Sequence, residues 1–467
     1  MLATLRQYLR YTSWPIITAM IALMVFGVLS IGISEQADES LDGYAAKQML
    51  FGSIALIAFL AATILPYHRI GRAAYVLFGV TLAVLVLLAA VRYFDYSTSL
   101  IPKKRGAFRW INLGIVLVQP SEIAKLAYII LLAWYLRRGD HYRRLRGLIV
   151  PFVLTFLPMG LILYEPDLGT SLLFLPTLYV MLFMAGAKLR HLLAIIALAT
   201  AVLLFPVPRR LGAEAFEDTA EKFTVSRLGP VKFYSLDTSL PKSRRPDVPV
   251  AYCRYQIGGG RVYDLQPLSL RVMKDHQRRR IEGWLRQNDP RVAVMQGFQL
   301  DRSKMTLASG KLAGRSGWAD ATFCIRMLPD DHTDFIFSVI GGQWGFLGCL
   351  ALLSLYGVIL LFGVEIAVIT YDPFGRLLTV GVLALLLSQV CINVGMTMGL
   401  MPITGMTLPL VSYGGSSLVV NCAAIGLLVN VAQRRPILLS QRPFEYGERR
   451  QKPPAPYGPF ADGPPGR

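Results

Sequence analysis

Long apolar runs, interrupted by almost no charge, dominate the chain. They fall at residues 15–34, 46–66, 74–91, 121–136, 148–164, 170–187, 190–207, 335–363, 376–398 and 409–433. A hydrocarbon layer takes about 20 apolar residues per helical crossing. Inside it only helices and closed barrels satisfy their own backbone groups. Barrel strands alternate in polarity and never read as solid blocks of this kind. The runs therefore predict an all-α polytopic membrane protein with about ten transmembrane helices and a large extracytoplasmic loop between the seventh and the eighth. Only 16% of the residues are charged, against about a quarter in soluble domains, which excludes a water-soluble multidomain enzyme.

Loop charges orient the spans. Arg6 to Arg10, His68-Arg69-Arg72, Arg137 to Arg146, Lys188-Arg190 and the tail after Arg434-Arg435 share one side, and the acidic loop 35–42 takes the other. The positive-inside rule puts the basic side, with both termini, in the cytoplasm. The first run has no small-residue cleavage site and reads as an uncleaved anchor. The net charge of +19 then fits basic cytoplasmic loops and contact with membrane lipid, not nucleic acid. The five cysteines form no Cys-x-x-Cys pair and no Cys/His metal spacing.

Four segments follow: helices 1–7 in 1–207, an extracytoplasmic loop in 208–334, helices 8–10 in 335–433 and a Pro-rich cytoplasmic tail in 434–467. Within the loop, 208–275 carries alternating stretches near Val231–Leu236 and Val248–Tyr263, with Gly258-Gly259-Gly260 as a turn signal, which predicts a small β-rich module. The stretch His276–Arg286 predicts an interfacial helix with Ile281, Trp284 and Leu285 on one face of a basic remainder.

Ionisable groups at membrane depth are costly, so each is a candidate for function. Glu122 and Lys125 lie three apart on one helical face and can pair, in a neutralising or a functional role. Arg109 and Trp110, with Arg105 upstream, suit an aromatic-belt anchor or a phosphate clamp. Glu165-Pro166-Asp167 sets two carboxylates around a proline, and Asp167 can also cap the next helix. Asn393 and the Gly/Ser/Pro-rich stretch 402–417, which includes Ser412, place irregular backbone where only a cavity or tight packing tolerates it. Together these segments predict one polar cavity opening to the outside.

The runs RGAFRWINLGIVLVQPSEIAK (105–125), EPDLGT (165–170), LPDDHTDFIFSVIG (328–341), NVGMTMGLMPITG (393–405) and LPLVSYGGSS (408–417) occur in the order and spacing of the SEDS family. The chain resembles these RodA/FtsW-like shape, elongation, division and sporulation proteins. The resemblance implies a ten-span glycosyltransferase of the bacterial inner membrane. It would polymerise lipid II, the undecaprenyl-pyrophosphate-linked disaccharide peptide, into peptidoglycan strands beside a class B penicillin-binding protein. It assigns catalysis to Asp334 and maps further family positions onto Arg109, Trp110, Gln119, Pro120, Ser121, Glu122, Lys125, Asp167, Asn393, Ser412 and Gly414. Gln299, Ser303 and Gly314 match a loop motif in weakened form. Three departures stand out: Gly341-Gly342-Gln343-Trp344-Gly345 after the DFIF run, Lys311 where the loop normally has glycine, and the insert itself.

Turning an α-linked donor into a β-1,4 product inverts the anomeric centre. That requires a general base and electrostatic help for the departing pyrophosphate, but no covalent nucleophile. Asp334 suits the base, and Arg109 and Lys125 suit the pyrophosphate. No cofactor is demanded, and a divalent cation is compatible with the pattern. The competing classes are a lipid II flippase or lipid-linked sugar transporter, and a non-catalytic scaffold of the cell-wall machinery.

Overall fold

The computed structural model describes residues 12–37, 43–103, 107–112, 114, 117–139, 141–210, 223–228, 231–236, 253–257, 262–269, 275–287, 297–314 and 332–434. Arg105, Asp330, Asp331, the glycine triplet and the Pro-rich tail lie outside them. Helices α1 (Trp14–Ala37), α2 (Tyr44–Ile64), the short α3 (Tyr67–Arg72) and α4 (Ala74–Tyr93) open the chain. A two-stranded ribbon, β1 (Ile111–Asn112) and β2 (Leu117–Val118), leads into α5 (Pro120–Leu136). Next come α6 (Ile149–Tyr164), α7 (Leu168–Leu172), α8 (Phe174–Ala185) and α9 (Leu189–Leu204). After the loop region, α12 (Ile336–Ile369), α13 (Pro373–Thr397) and α14 (Gly415–Gln433) complete the bundle.

Eight of the described helical segments are long and apolar enough to cross a membrane. The helices α5 and α9, with 17 and 16 residues, rise about 1.5 Å per residue and fall short of a ~30 Å layer. Sequence chemistry sets several helix starts. Pro120 and Pro373 occupy first-turn positions, where a missing N–H costs nothing. Asp372 accepts from Gly375 N at 2.9 Å and caps α13. The apolar block at 409–433 becomes helical only at Gly415, so 409–414 enters the bundle as loop.

Helices α13 and α14 form the buried centre. α14 packs along α2, α13 packs on α5, α8 and α12, and α1 packs on α12. At the end away from Asp334 polar side chains tie the end of α14 to the end of α2. Asn430 Nδ2 donates to Ala62 O at 2.6 Å and to Leu65 O, while Arg434 donates to Thr63 O at 3.0 Å and Ile64 O at 2.6 Å. These bonds satisfy the carbonyls that the end of α2 leaves open.

The helix α12 is broken at Gly345, whose φ of 66° lies in the left-handed region. The N–H groups of Phe346 and Leu347, freed by the break, donate to Lys311 O at 2.9 Å and Leu312 O at 3.0 Å. Those carbonyls belong to the turn after α11 (Phe298–Ser309), so the kink and the turn satisfy each other. Lys311 itself has a φ of 49°, which explains why glycine suits that position.

The inserted region folds as a five-stranded antiparallel sheet ordered β3-β7-β6-β5-β4. Its strands are β3 (Pro206–Arg210), β4 (Phe223–Leu228), β5 (Val231–Leu236), β6 (Cys253–Ile257) and β7 (Val262–Pro267). The helix α10 (Asp275–Leu285) follows. Its Trp284 does not face lipid: Nε1 donates to Gly399 O at 3.0 Å and the ring packs with Leu300, Phe335 and Ile403.

A Cβ at position 345 would collide with Gly314 N and Leu312 O, whereas one at Gly357, also in α12, meets open space. Gly345→Ala should therefore cost about 1–3 kcal/mol through strain, and Gly357→Ala should be neutral or stabilising by about 0.5–1 kcal/mol. Thermal unfolding of the two purified variants in detergent checks this contrast.

Candidate active site

Asp334 stands one residue before the buried Phe335, at the entrance to α12. Three donors on two elements, α13 and the strap before α14, grip the backbone around it. His332 O accepts from Tyr413 N at 2.9 Å, Thr333 O accepts from Ser412 Oγ at 2.5 Å, and Asp334 O accepts from Asn393 Nδ2 at 2.9 Å. The same Asn393 Nδ2 donates to Met406 O at 2.6 Å, and Ser412 Oγ accepts from Leu408 N at 2.8 Å. Asn393 and Ser412 thus tie the catalytic candidate's chain to the strap 399–412. The His332 ring lies against Tyr44 and Tyr413, with centroids 5.2 and 5.7 Å apart.

The strap also carries Gly405, with φ 72°. A Cβ built there would fall 3.4 Å from Asp334 Oδ2 and 3.5 Å from Arg280 Nη1. The carboxylate and the guanidinium therefore border one glycine-sized space. Arg280 belongs to α10 and reaches inward to Ile403 O over 3.4 Å.

A second polar group surrounds Asp167. Its Oδ2 accepts from Gln119 Nε2 and Thr170 Oγ1, each at 2.9 Å, and Oδ1 accepts from Thr170 N at 3.2 Å, so Asp167 caps α7. Arg109 donates from Nε to Glu165 O at 2.7 Å and from Nη2 to Pro166 O at 2.5 Å. Ser416 Oγ joins this group to α14, accepting from Gln119 N at 3.0 Å and donating to Leu117 O at 2.8 Å. Gly169 lies directly against Met406, and a Cβ there would fall 2.9 Å from Thr404 O. The Asp167 and Asp334 groups therefore flank the same strap.

Other expected site residues are placed differently. Lys125 and Glu122 form a 2.9 Å ion pair with both side chains almost wholly buried. Lys125 lies among Tyr128, Leu173, Phe174, Thr177 and Leu385, and Glu122 Oε2 is buried without a partner among the described residues. Ser303, fully buried, bonds Ser338 Oγ at 2.6 Å and Thr397 O at 2.9 Å, and so links α11 to α12 and α13. Gln299 on the first turn of α11 and Trp110 beside Arg109 are half-buried. Arg280 is what the sequence motifs left out of the site. The available signal was the i, i+4 spacing of Arg280 and Trp284, which puts the cation on the face that docks. Among the described residues, no group of three or more His, Cys, Asp or Glu side chains is arranged to hold a metal.

The family described as cell cycle protein, FTSW_RODA_SPOVE, matches residues 9–212 and 262–436. The chain belongs to this family. The match skips 213–261, the span of β4, β5 and β6. The peptidoglycan glycosyltransferase RodA of Treponema pallidum (strain Nichols) is 32% identical over 438 residues, 90% of this chain and 97% of that one. The peptidoglycan glycosyltransferase MrdB of Escherichia coli (strain K12) is 29% identical over 421 residues, 90% of this chain and 93% of its own. A solved structure titled as the structural coordination of polymerization and crosslinking by a peptidoglycan synthase complex superposes with a TM-score of 0.64 at 26% identity. It covers 91% of this chain and 98% of its own.

Glu165, 1% exposed, supplies a pH test. Burial raises its carboxyl from the ordinary 4.5 to about 8, with the neighbouring Asp167 adding to the rise and Arg109 and Arg92 opposing it. The folded chain then holds a proton that the unfolded chain loses above pH 4.5, so stability declines as pH rises from about 4.5 to about 8 and levels off beyond. Melting temperatures recorded across that window should fall for the parent protein and fall less for Glu165→Gln.

Proposed function

We infer that the chain is a peptidoglycan glycosyltransferase of the bacterial inner membrane, and that Asp334 is its general base. The observation that carries the assignment is the way two elements, α13 and the strap before α14, hold the backbone at 332–334 through three hydrogen bonds while the carboxylate and Arg280 border the same space at Gly405. A base must be held in place before it can be effective, and that framework supplies the positioning. The substrate is lipid II. The acceptor 4-hydroxyl gives its proton to Asp334 as its oxygen attacks the anomeric carbon from the face opposite the pyrophosphate. The bond to the pyrophosphate breaks on the other face, so the configuration inverts.

Asn393 and Ser412 act through the backbone and set the direction of Asp334. Asp167, Gln119 and Arg109 shape the wall across the strap. In this reading the Asp334 end faces outward and the basic loops face the cytoplasm. The partner that cross-links the product strands is a class B penicillin-binding protein, in keeping with a complex that couples polymerization and crosslinking.

General-base catalysis contributes roughly 10²–10⁴-fold, so Asp334→Asn should slow lipid II polymerisation by about that factor while leaving expression unchanged. A gel assay of glycan strands made by the purified protein reads the result, and a parental rate would end the assignment. A cysteine replacing the exposed Tyr96 should react with an impermeant thiol reagent in intact cells. Protection there, with labelling at Arg144 instead, would invert the orientation.

A further inference from the structure

We propose that Arg137, with Arg72 and Arg138, binds the phosphate of an anionic phospholipid at the end of the bundle away from Asp334. The site is separate from the chemistry at that carboxylate. Two elements bring the cations together. Gly71 of α3 lies directly against the Trp134 ring, where a Cβ would fall 2.4 Å from Cε3. Arg72 ends α3 one residue later, and Arg137 and Arg138 directly follow α5, whose last turn carries Trp134. Tyr67 N donates to Asn430 Oδ1 at 3.3 Å, which sets α3 beside the polar ties between α2 and α14.

Arg137 is held in place before any ligand arrives. Its guanidinium carbon lies 3.2 Å from the centre of the Trp134 ring. That ring stands edge-on to Phe374 of α13 at 5.0 Å, and Phe374 stacks on Tyr67 of α3 at 5.8 Å. Arg138 sits over the same Trp134 ring at 5.8 Å, so two like charges share one aromatic face. Arg137 Nε is buried and has no hydrogen-bond partner among the described residues. An unmade buried donor is costly, more so on a charged group. The nearby carboxylate does not meet the need. Asp372 acts on Arg137 electrostatically, yet it accepts from Gly375 N at 2.9 Å and pairs with His68 Nε2 at 3.3 Å.

An oxyanion satisfies the open donor and relieves the repulsion together. The planar fork of Arg137 suits two phosphate oxygens, and Arg72 and Arg138, both exposed, supply further charge. The surroundings favour a lipid over a soluble anion. Tyr75, at the start of α4, also acts on Arg137. Tyr75 and its neighbour Val76 are exposed on a helix long and apolar enough to cross a membrane. That wall gives acyl chains apolar surface to lie on while the phosphate meets the arginines, and a free phosphate gains nothing from it. Basic pockets between membrane helices recognise anionic headgroups in this manner.

The test titrates the delipidated full-length protein in detergent with phosphatidylglycerol and with phosphatidylcholine of the same acyl chains, and reads bound lipid by native mass spectrometry. The parent should prefer phosphatidylglycerol. Arg137→Gln should weaken phosphatidylglycerol binding by about tenfold or more, the scale of one charge-assisted hydrogen bond, and leave phosphatidylcholine binding unchanged. Arg137→Lys, which keeps the charge and loses the fork, should recover part of the loss. Arg190→Gln removes the same charge from α9, which packs on α8, and should bind both lipids as the parent does. An excess of glycerol 3-phosphate should not displace phosphatidylglycerol. If Arg137→Gln misfolds, a double variant of the exposed pair, Arg72→Gln with Arg138→Gln, is judged by the same two lipids. Parental affinity for phosphatidylglycerol in the folded variant would overturn the proposal. So would an equal loss in Arg190→Gln, which reports diffuse surface charge, and so would displacement by glycerol 3-phosphate, which reports a site for free phosphate.

Discussion

The amide of Asn393 holds the two halves of the site together. One nitrogen on α13 satisfies the carbonyl of Asp334 and the carbonyl of Met406, and so joins the entrance of α12 to the strap before α14. Both carbonyls lie at membrane-boundary depth, where an unpaired backbone oxygen is costly and water is scarce. An apolar residue at 393 would leave two such groups open. The geometry around the carboxylate is therefore a by-product of a bundle that has to satisfy its own irregular backbone. Ser412 and Tyr413 repeat the arrangement on the preceding two residues.

The same economy governs the break in α12. The left-handed turn at Gly345 exposes N–H groups, and the turn at 311–312 offers carbonyls in the one direction that meets them. The run Gly341-Gly342-Gln343-Trp344-Gly345, which departs from the usual family sequence, lies on this junction. Trp344 packs edge-on against Phe26 of α1, with ring centroids 5.4 Å apart. The departure thus bears on how α11, α12 and α1 fit together, some distance along the chain from the carboxylate at its start.

Much of this was legible in residue order alone. Apolar blocks announce helices because the membrane interior permits little else, and Asp334, Asn393 and Ser412 stand in motifs whose spacing brings them to one place. The surroundings of the basic side chains were harder to read. Arg109 and Lys125 have the right chemistry; the three-residue spacing already offers Glu122 to Lys125, but nothing in the sequence reveals that backbone carbonyls occupy Arg109. Arg280 sits in a stretch with the pattern of a lipid-surface helix, because Trp284 looks the same in one dimension whether it meets lipid or Phe335. Ser303 belongs to a polar motif yet serves to pack three helices. In each case the missing information is which partner a polar group finds 35 to 115 residues away.

The inserted sheet has its first and last strands side by side, with Pro206 opposite Pro267 and Phe205 O bonded to Leu268 N at 2.9 Å. Chain entry and exit are therefore neighbours, clasped at the end of α9. Seen from the bundle, everything between those two prolines is a closed stem, and its length is invisible to the helices it interrupts. Lineages could lengthen, shorten or exchange the sheet as a cassette without re-spacing a single membrane helix. A load applied to the outer strands β4 and β5 would strain the sheet's own ladders before it reached the clasp.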